Sequence, residues 1–236
     1  MALLTIVDDE KALAEKGAAR FGEIVREAVQ QRGRAFVSLT GGSTPKRMYE
    51  TLASDPAQLP WRQVHLFWGD ERAVPPDHPD SNYGMAHAAL LNHVPIPPGQ
   101  VHRMRGELPP EQAAREYQRE LAGTFDLMLL GLGEDAHIAS IFPGSPVLDE
   151  QEHKVAAPWA PHLKAYRITL TPRALLDARR IVMLVAGASK APAVKAALEG
   201  PPDPHRWPAQ LLRAADDRVE WIIDRAAAGA LAARRE

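Results

Sequence analysis

The chain has 236 residues, no cysteine, and a formal net charge of −2 at pH 7. The lack of cysteine excludes disulfides, thiol nucleophiles and cysteine-ligated zinc. The nearly balanced charge argues against nucleic acid or an anionic membrane as a partner. The N-terminal segment is acidic where a signal peptide is basic, and no stretch approaches the ~20 apolar residues of a membrane span. We therefore expect a cytoplasmic protein, with residues 1–236 forming a single domain and a small subregion around 145–165.

The first half of the chain alternates short apolar runs with segments of helical periodicity. Its predicted elements are, in chain order, a strand at 3–7, a helix over 9–31, a strand at 35–39, a helix through 52, a strand at 64–69, a loop over 70–84 and a helix over 85–91. Pro45 suits the first turn of the second helix. Ser81 and Asn82 are candidate caps for the third.

The second half repeats this alternation. Its predicted elements are an extended piece at 101–104, a helix over 109–121, strands at 125–133 and 166–170, a helix over 172–178, a strand at 180–187, a helix over 189–199, an ordered loop at 201–210, and a strand at 219–225 that leads into an alanine-rich helix. Strands separated by helices predict an α/β fold with a mostly parallel sheet covered on both faces. In such a sheet ligands bind beyond the carboxyl ends of the strands.

The loop TGGSTP follows the second predicted strand. Its glycines permit a sharp turn and a close approach to a ligand, and the next helix begins with free N–H groups that favour an anion. Gly42, Ser43 and Thr44 are therefore candidates to hold a phosphate. An ordinary strand-to-helix turn, capped by Ser or Thr, explains the same letters equally well. The spacing differs from that of a nucleotide P-loop.

Three charged residues, Asp70, Glu71 and Arg72, follow the next strand in the sequence WGDERAV. A solvated turn is the common explanation of such a run. The predicted sheet nevertheless brings this loop to the same edge as TGGSTP, and Arg72 has the geometry to bind a phosphate or a carboxylate.

The loop GLGEDAHIASIFPG contains Glu134, Asp135 and His137 just beyond a predicted buried strand. Histidine exchanges a proton near neutral pH, and a nearby carboxylate can orient its ring. A zinc site is a weaker interpretation, because the histidines do not form a familiar ligand pattern. Ser140 is only a formal candidate nucleophile, since no G-x-S-x-G sequence surrounds it.

Two further cations, Arg167 and Lys190, lie at the start of a strand and of a helix, respectively. A single Lys or Arg is by default a surface residue. Together with Arg72 they would supply three cations able to meet one dianion.

These motifs occur together in an order that resembles the 6-phosphogluconolactonase family, of the superfamily that includes glucosamine-6-phosphate deaminase. The similarity runs from about residue 10 to about residue 225 and includes TGGSTP, WGDERAV with DSNYG, FDLMLLGLGEDAHIASIFPG, and YRITLTP with GASKAPAVKAAL. The resemblance implies a Rossmann-like three-layer α/β/α fold. It also implies hydrolysis of 6-phospho-D-glucono-1,5-lactone, with neither metal nor organic cofactor.

The resemblance also implies roles for individual residues. His137 matches the catalytic histidine, and Asp70 matches an aspartate that transfers protons in the deaminase branch. Arg72, Arg167, Lys190 and the loop of Gly42, Ser43 and Thr44 match positions around the phosphorylated substrate. From the residues we expect His137 to act as general acid and base, with Asp135 or Glu134 holding its ring.

One residue departs from the family pattern: Ala136 stands where D-G-H usually has glycine. If that position needs a positive φ, alanine costs about 1–2 kcal/mol there. If the glycine is needed only for a close approach of the backbone, the methyl group of alanine narrows the pocket. The alternatives are the deaminase, which typically continues toward F-N-E-P after the histidine, and a non-catalytic sugar-phosphate sensor. We expect the protein to be a monomer whose partner is a phosphorylated sugar lactone.

Overall fold

The computed structural model describes residues 2–121 and 123–232, and ten strands and six α-helices form its framework. The strands are β1 (Leu3–Val7), β2 (Ala35–Leu39), β3 (Val64–Trp68), β4 (Asp70–Arg72), β5 (Leu127–Leu130), β6 (Val155–Ala156), β7 (Trp159–Ala160), β8 (Ala165–Leu170), β9 (Ile181–Val185) and β10 (Val219–Asp224). The α-helices are α1 (Glu10–Arg32), α2 (Ser43–Ser54), α3 (Asn82–Ala86), α4 (Pro110–Glu120), α5 (Pro172–Leu176) and α6 (Ala191–Glu199).

Six strands form a sheet in the order β1-β10-β9-β5-β2-β3, and every pairing in it is parallel. From β2 the chain continues outward to β3, and β5 then returns to the other side of β2. The strand order therefore reverses between β2 and β5. In open parallel sheets, the loops that leave two such strands diverge and form a crevice at the carboxyl edge.

Two hydrophobic cores cover the two faces of this sheet. Strand β5 shows the alternation most clearly. Leu127 and Leu129 point into the core formed with α1 and α2, whereas Met128 and Leu130 point into the core formed with α4 and α6. Because both faces are buried, the strand is an uninterrupted apolar run. The predicted three-layer α/β/α fold is thus confirmed.

A second, smaller sheet is antiparallel and joins β4, β8 and β6, with β7 also paired to β8. The prediction of a loop over 70–84 is therefore wrong at its start, where residues 70–72 form β4. These three charged residues lack an apolar pattern, and their strand exists only through pairing with β8, about 100 residues further along the chain.

Two other predicted helices differ in the structure. Residues 85–91 were expected to form an α-helix, but α3 ends at Ala86 and a π-helix follows over His87–Leu91. The expected alanine-rich helix after β10 is wrong as far as the structure describes it, since residues 225–230 form turns. There the Asp224 carboxylate accepts from the Ala227 N–H at 2.7 Å and so anchors the turn. The remainder, residues 233–236, lies outside the described residues.

Short 3₁₀ segments complete the chain and occur at Pro56–Gln58, Trp61–Gln63, Pro98–Gln100, Pro146–Asp149, Ala188–Lys190 and Pro208–Arg218. None of the helices in the described part of the chain combines the length and the apolar character needed to cross a membrane.

Candidate active site

A cavity of about 240 Å³ opens at the carboxyl edge of the parallel sheet, where the strand order reverses between β2 and β5. The loops after β2, β3, β5 and β9 all contribute to its lining. Of the residues proposed from the sequence, it is lined by Gly42, Ser43, Thr44, Asp70, Arg72, His137 and Lys190. Four loops that are distant in sequence thus meet around one small volume.

The N-terminus of α2 forms one wall of this cavity. Gly42 is the N-cap, with φ 109°, a left-handed conformation that favours glycine, and no side chain caps the helix. The first N–H groups of a helix have no acceptor within it. Ser43 and Thr44 therefore line the cavity at the positive end of the helix dipole, a favourable environment for an anion.

Arg72 and Arg167 are direct partners across the antiparallel pair β4–β8. Burial, followed by the neighbouring charge of Arg72, lowers the pKa of the Arg167 guanidinium. Arg72 Nη1 donates to the carbonyl of Asp80. Among the ion pairs of the described residues, neither arginine has a carboxylate partner, and neither does Lys190. An anion placed beside the two arginines would relieve the repulsion between them.

His137 and Asp135 form a close pair beside the cavity. Nδ1 of His137 lies 2.6 Å from Oδ1 of Asp135, which also accepts from the His137 backbone N–H at 3.1 Å. Burial raises the pKa of Asp135, but the hydrogen bond and charge of His137 outweigh it, and the pKa of this carboxyl falls below its usual value. A carboxylate can only accept, so Nδ1 carries the proton and Nε2 of the neutral ring keeps its lone pair.

The loop that carries this pair is tightly wound. Gly133 donates its N–H to the His137 carbonyl at 2.9 Å, and a Cβ at Gly133 would lie 2.0 Å from His137 Nδ1. Ala136 has φ 61° and Ala139 has φ 48°, so a non-glycine residue adopts the left-handed region on each side of His137. Ala136 thus adopts a positive φ at the position where the family pattern has glycine.

The imidazole of His137 also packs against Phe142, with ring centroids 4.6 Å apart. Phe142 comes from the same loop and is almost fully buried. Together, the contact with this ring and the hydrogen bond to Asp135 restrict the orientation of the histidine. Glu134, the other candidate to hold the ring, is exposed to solvent.

Asp70 is buried and both of its carboxylate oxygens are hydrogen-bonded. Oδ2 accepts from Ser140 Oγ at 2.5 Å, and Oδ1 accepts from Asn82 Nδ2 at 3.2 Å. Asn82 was expected only as a helix cap, yet Ser81 caps α3 through its Oγ, and Asn82 lines the cavity instead. No sequence pattern predicts the contact of Ser140 with Asp70, because the two residues are 70 positions apart.

Glu71, the middle residue of the charged run, has a structural role. Its buried carboxylate accepts from the backbone N–H groups of Arg72, Asn82 and Tyr83 and from the hydroxyl of Ser81. Burial raises the pKa of Glu71, although each of these hydrogen bonds lowers it. Glu71 thereby fixes the start of α3, which positions Asn82 at the cavity.

Most of the residues proposed from the sequence therefore lie together. Arg167 and Asp135 do not line the cavity themselves, but Arg167 is paired with Arg72 and Asp135 with His137. Asn82, Thr40 and the segment from Leu184 to Ala186 were not predicted and do line it. Within the described residues, no group of three or more His, Asp or Glu is arranged to hold a metal ion.

Comparisons with known proteins show which family the chain belongs to. The 6-phosphogluconolactonase of Synechocystis is 37% identical over 233 residues, which cover 94% of this chain and 95% of that protein. The 6-phosphogluconolactonase of Haemophilus influenzae is 39% identical over 198 residues, 81% of this chain and 85% of its own. The solved structure of 6-phosphogluconolactonase from Trypanosoma brucei superimposes with a TM-score of 0.88 at 30% identity, covering 98% of this chain and 99% of the other. A family model for glucosamine-6-phosphate isomerases/6-phosphogluconolactonase matches residues 8–221, and the chain belongs to that family.

Proposed function

We propose that this protein hydrolyses 6-phospho-D-glucono-1,5-lactone to 6-phospho-D-gluconate, a step of the oxidative pentose phosphate pathway. The single observation that carries this proposal is the pair of His137 and Asp135, 2.6 Å apart, at a cavity bordered by cations and a free helix N-terminus. The relatives named 6-phosphogluconolactonase, at 37–39% identity, support it.

In the proposed complex, the phosphate binds at the cationic side of the cavity. Arg72 and Lys190 line the cavity, and Arg167 adds positive charge as the cross-strand partner of Arg72. The N–H groups of Ser43 and Thr44 complete the proposed site at the start of α2. Three cations and a helix N-terminus together compensate a phosphate dianion. Anchoring the phosphate positions the lactone carbonyl next to His137.

His137 then acts as general base through Nε2. It takes a proton from a water molecule while the water oxygen forms a bond to C1 of the lactone. The carbonyl becomes an oxyanion, which backbone N–H groups of the glycine-rich turns stabilise. As the tetrahedral intermediate collapses, the bond between C1 and the ring oxygen breaks, and the imidazolium returns its proton to that oxygen. The product is the open-chain acid, which ionises in solution.

Asp135 contributes by holding the histidine in one tautomer. Because it accepts from Nδ1, it leaves Nε2 free as the base and stabilises the imidazolium that forms. General base catalysis supplies roughly 10²–10⁴-fold in rate. No covalent nucleophile is needed. The Ser140 hydroxyl is already donated to Asp70 and is buried.

Deamination of glucosamine 6-phosphate is the second candidate reaction, and Asp70 is the observation that favours it. This carboxylate lines the cavity and matches the residue used for proton transfer in the deaminase branch. The sequence after His137, however, reads IASIFPG and lacks the carboxylate of the deaminase pattern F-N-E-P. A non-catalytic sugar-phosphate sensor is the remaining alternative.

The test is a pair of assays on the purified chain. We expect rapid consumption of 6-phosphogluconolactone, followed as 6-phosphogluconate in a coupled dehydrogenase assay, well above the spontaneous rate. We expect no release of ammonia from glucosamine 6-phosphate. Ammonia release without lactone hydrolysis would favour the deaminase, and tight binding of 6-phosphogluconate without either reaction would favour the sensor.

A further inference from the structure

The proposed mechanism does not use the buried contact between Ser140 and Asp70. We propose that Ser140 is a positioning residue, which locks the Asp70 carboxylate to the turn that carries His137. The inference rests on the proposed lactone hydrolysis, since it assigns Ser140 a part in that site. It is carried by three features: the hydrogen bond, the conformation of the turn, and the strand pairing beneath it.

The hydrogen bond itself is short and shielded from solvent. Ser140 Oγ lies 2.5 Å from Asp70 Oδ2, with Ser140 1% and Asp70 8% exposed. An ionised carboxylate only accepts, so the hydroxyl donates. Charge-assisted hydrogen bonds of this kind are the short and strong ones, and a buried one competes little with water.

The turn that presents Ser140 is strained. The Ile141 N–H donates to the Ile138 carbonyl at 2.9 Å, closing a turn in which Ala139 is the first central residue with φ 48°. A non-glycine residue in this region persists only where its surroundings enforce it. Since His137 directly precedes the turn, whatever holds the turn also holds the histidine.

Ser140 supplies that enforcement from two neighbouring strands. Its N–H donates to Thr169 Oγ1 at 3.1 Å, and its hydroxyl donates to Asp70. Asp70 and Thr169 are direct partners in the β4–β8 pairing. One residue of the His137 loop is thus hydrogen-bonded to two paired positions of the antiparallel sheet. These bonds connect the loop of His137 to the strands β4 and β8.

The hydrogen bond from Ser140 to Asp70, called the clamp below, also determines what Asp70 can do. With Ser140 on Oδ2 and Asn82 on Oδ1, the carboxylate is held in one orientation and keeps spare lone pairs at the cavity that it lines. It is thereby placed to accept from a bound water or from a hydroxyl of the lactone. Without the serine hydroxyl, Asp70 can rotate, while the contact between His137 and Asp135 remains.

The test is a double-mutant cycle of Ser140→Ala, Asp70→Asn and the double variant. We expect Ser140→Ala to lower kcat about 10- to 100-fold, the range expected when a reacting group is displaced by up to about 1 Å, with little change in KM. If the serine acts through Asp70, the double variant has the kcat of Asp70→Asn alone. The matched control is Ser38→Ala, a buried serine on β2 whose Oγ has no hydrogen-bond partner among the described residues, and it should retain wild-type kcat.

Multiplicative effects of the two substitutions on kcat, or a Ser140→Ala variant with wild-type kcat, would overturn the proposal. If Ser140→Ala fails to fold, Ser140→Cys keeps the shape with a weaker donor and should give an intermediate kcat; a kcat equal to wild type would count against the clamp. A wild-type chain that binds 6-phosphogluconate without turnover refutes the proposed function instead. The cycle is then measured on Tm, where fully additive losses from the two substitutions would contradict a direct contact between the two side chains.

Discussion

Replacing Ala136 by glycine tests whether the loop before His137 is strained. Ala136 has φ 61° and is fully buried. Relief of the left-handed conformation gains about 1–2 kcal/mol. Against this, the buried methyl group is worth about 0.8 kcal/mol, and the greater freedom of glycine in the unfolded chain costs about 0.4–1 kcal/mol. The two sides nearly cancel, so Ala136→Gly should change the free energy of unfolding by less than about 1 kcal/mol.

The matched control is Ala28→Gly, at an equally buried alanine inside α1. There glycine relieves no strain. It costs about 1 kcal/mol in helix propensity and about 0.8 kcal/mol in lost methyl burial. Since 1 kcal/mol corresponds to roughly 2–4 °C in a chain of this size, Ala28→Gly should lower Tm by about 4–7 °C and Ala136→Gly by at most about half that.

Thermal unfolding of the two variants beside the wild type makes the comparison directly. Equal losses of Tm in both variants would refute the reasoning, because the positive φ at Ala136 would then carry no cost. The hydrogen bonds of the loop should survive the substitution, since Ala136 contributes only its backbone to them: its N–H donates to Gly133 and its carbonyl accepts from Ala209.

Three further predictions concern the site and the stability of the fold. Asp135→Asn should lower kcat by about 10²-fold or more, because an amide can donate to Nδ1 and so favour the wrong tautomer of His137; unchanged kcat in the coupled assay would contradict the role of Asp135. Lys190→Ala should raise KM for the phosphorylated lactone far more than for unphosphorylated gluconolactone, and an equal effect on both would exclude a phosphate contact. Burial lowers the pKa of both His65 and His102, and for His65 the charges of His102 and Arg34 lower it further. As the pH falls, the two histidines therefore take up protons in the unfolded chain before they do so in the folded chain. Their contribution to the free energy of unfolding is complete above about pH 6.5 and declines below it. Tm should fall as the pH is lowered from about 7.5 to about 5.5, and it should fall less for His65→Phe. An equal fall of Tm in that variant would argue against the two histidines as the cause of the pH dependence.

The main sheet could be predicted from the sequence because each of its central strands is a buried apolar run. Strands β2, β3, β5 and β9 lie where the apolar runs end in glycine-containing loops. In a parallel sheet, that order places the loops at one edge. The convergence of TGGSTP, WGDERAV and GLGEDAH on one cavity followed from this geometry.

What could not be predicted depends on long-range pairing. Strand β4 is a charged tripeptide that becomes a strand only beside β8. Asn82 and Ser140 reach Asp70 from 12 and 70 positions away, and no local pattern encodes either contact.

The central claim, that His137 is the general base of a lactonase, is tested most directly by the kcat of His137→Ala with 6-phosphogluconolactone. The account predicts a loss of about 10²–10⁴-fold, with Tm and the Kd for 6-phosphogluconate close to wild type, since the phosphate contacts come from other loops. A variant that folds and keeps near-wild-type kcat would contradict it.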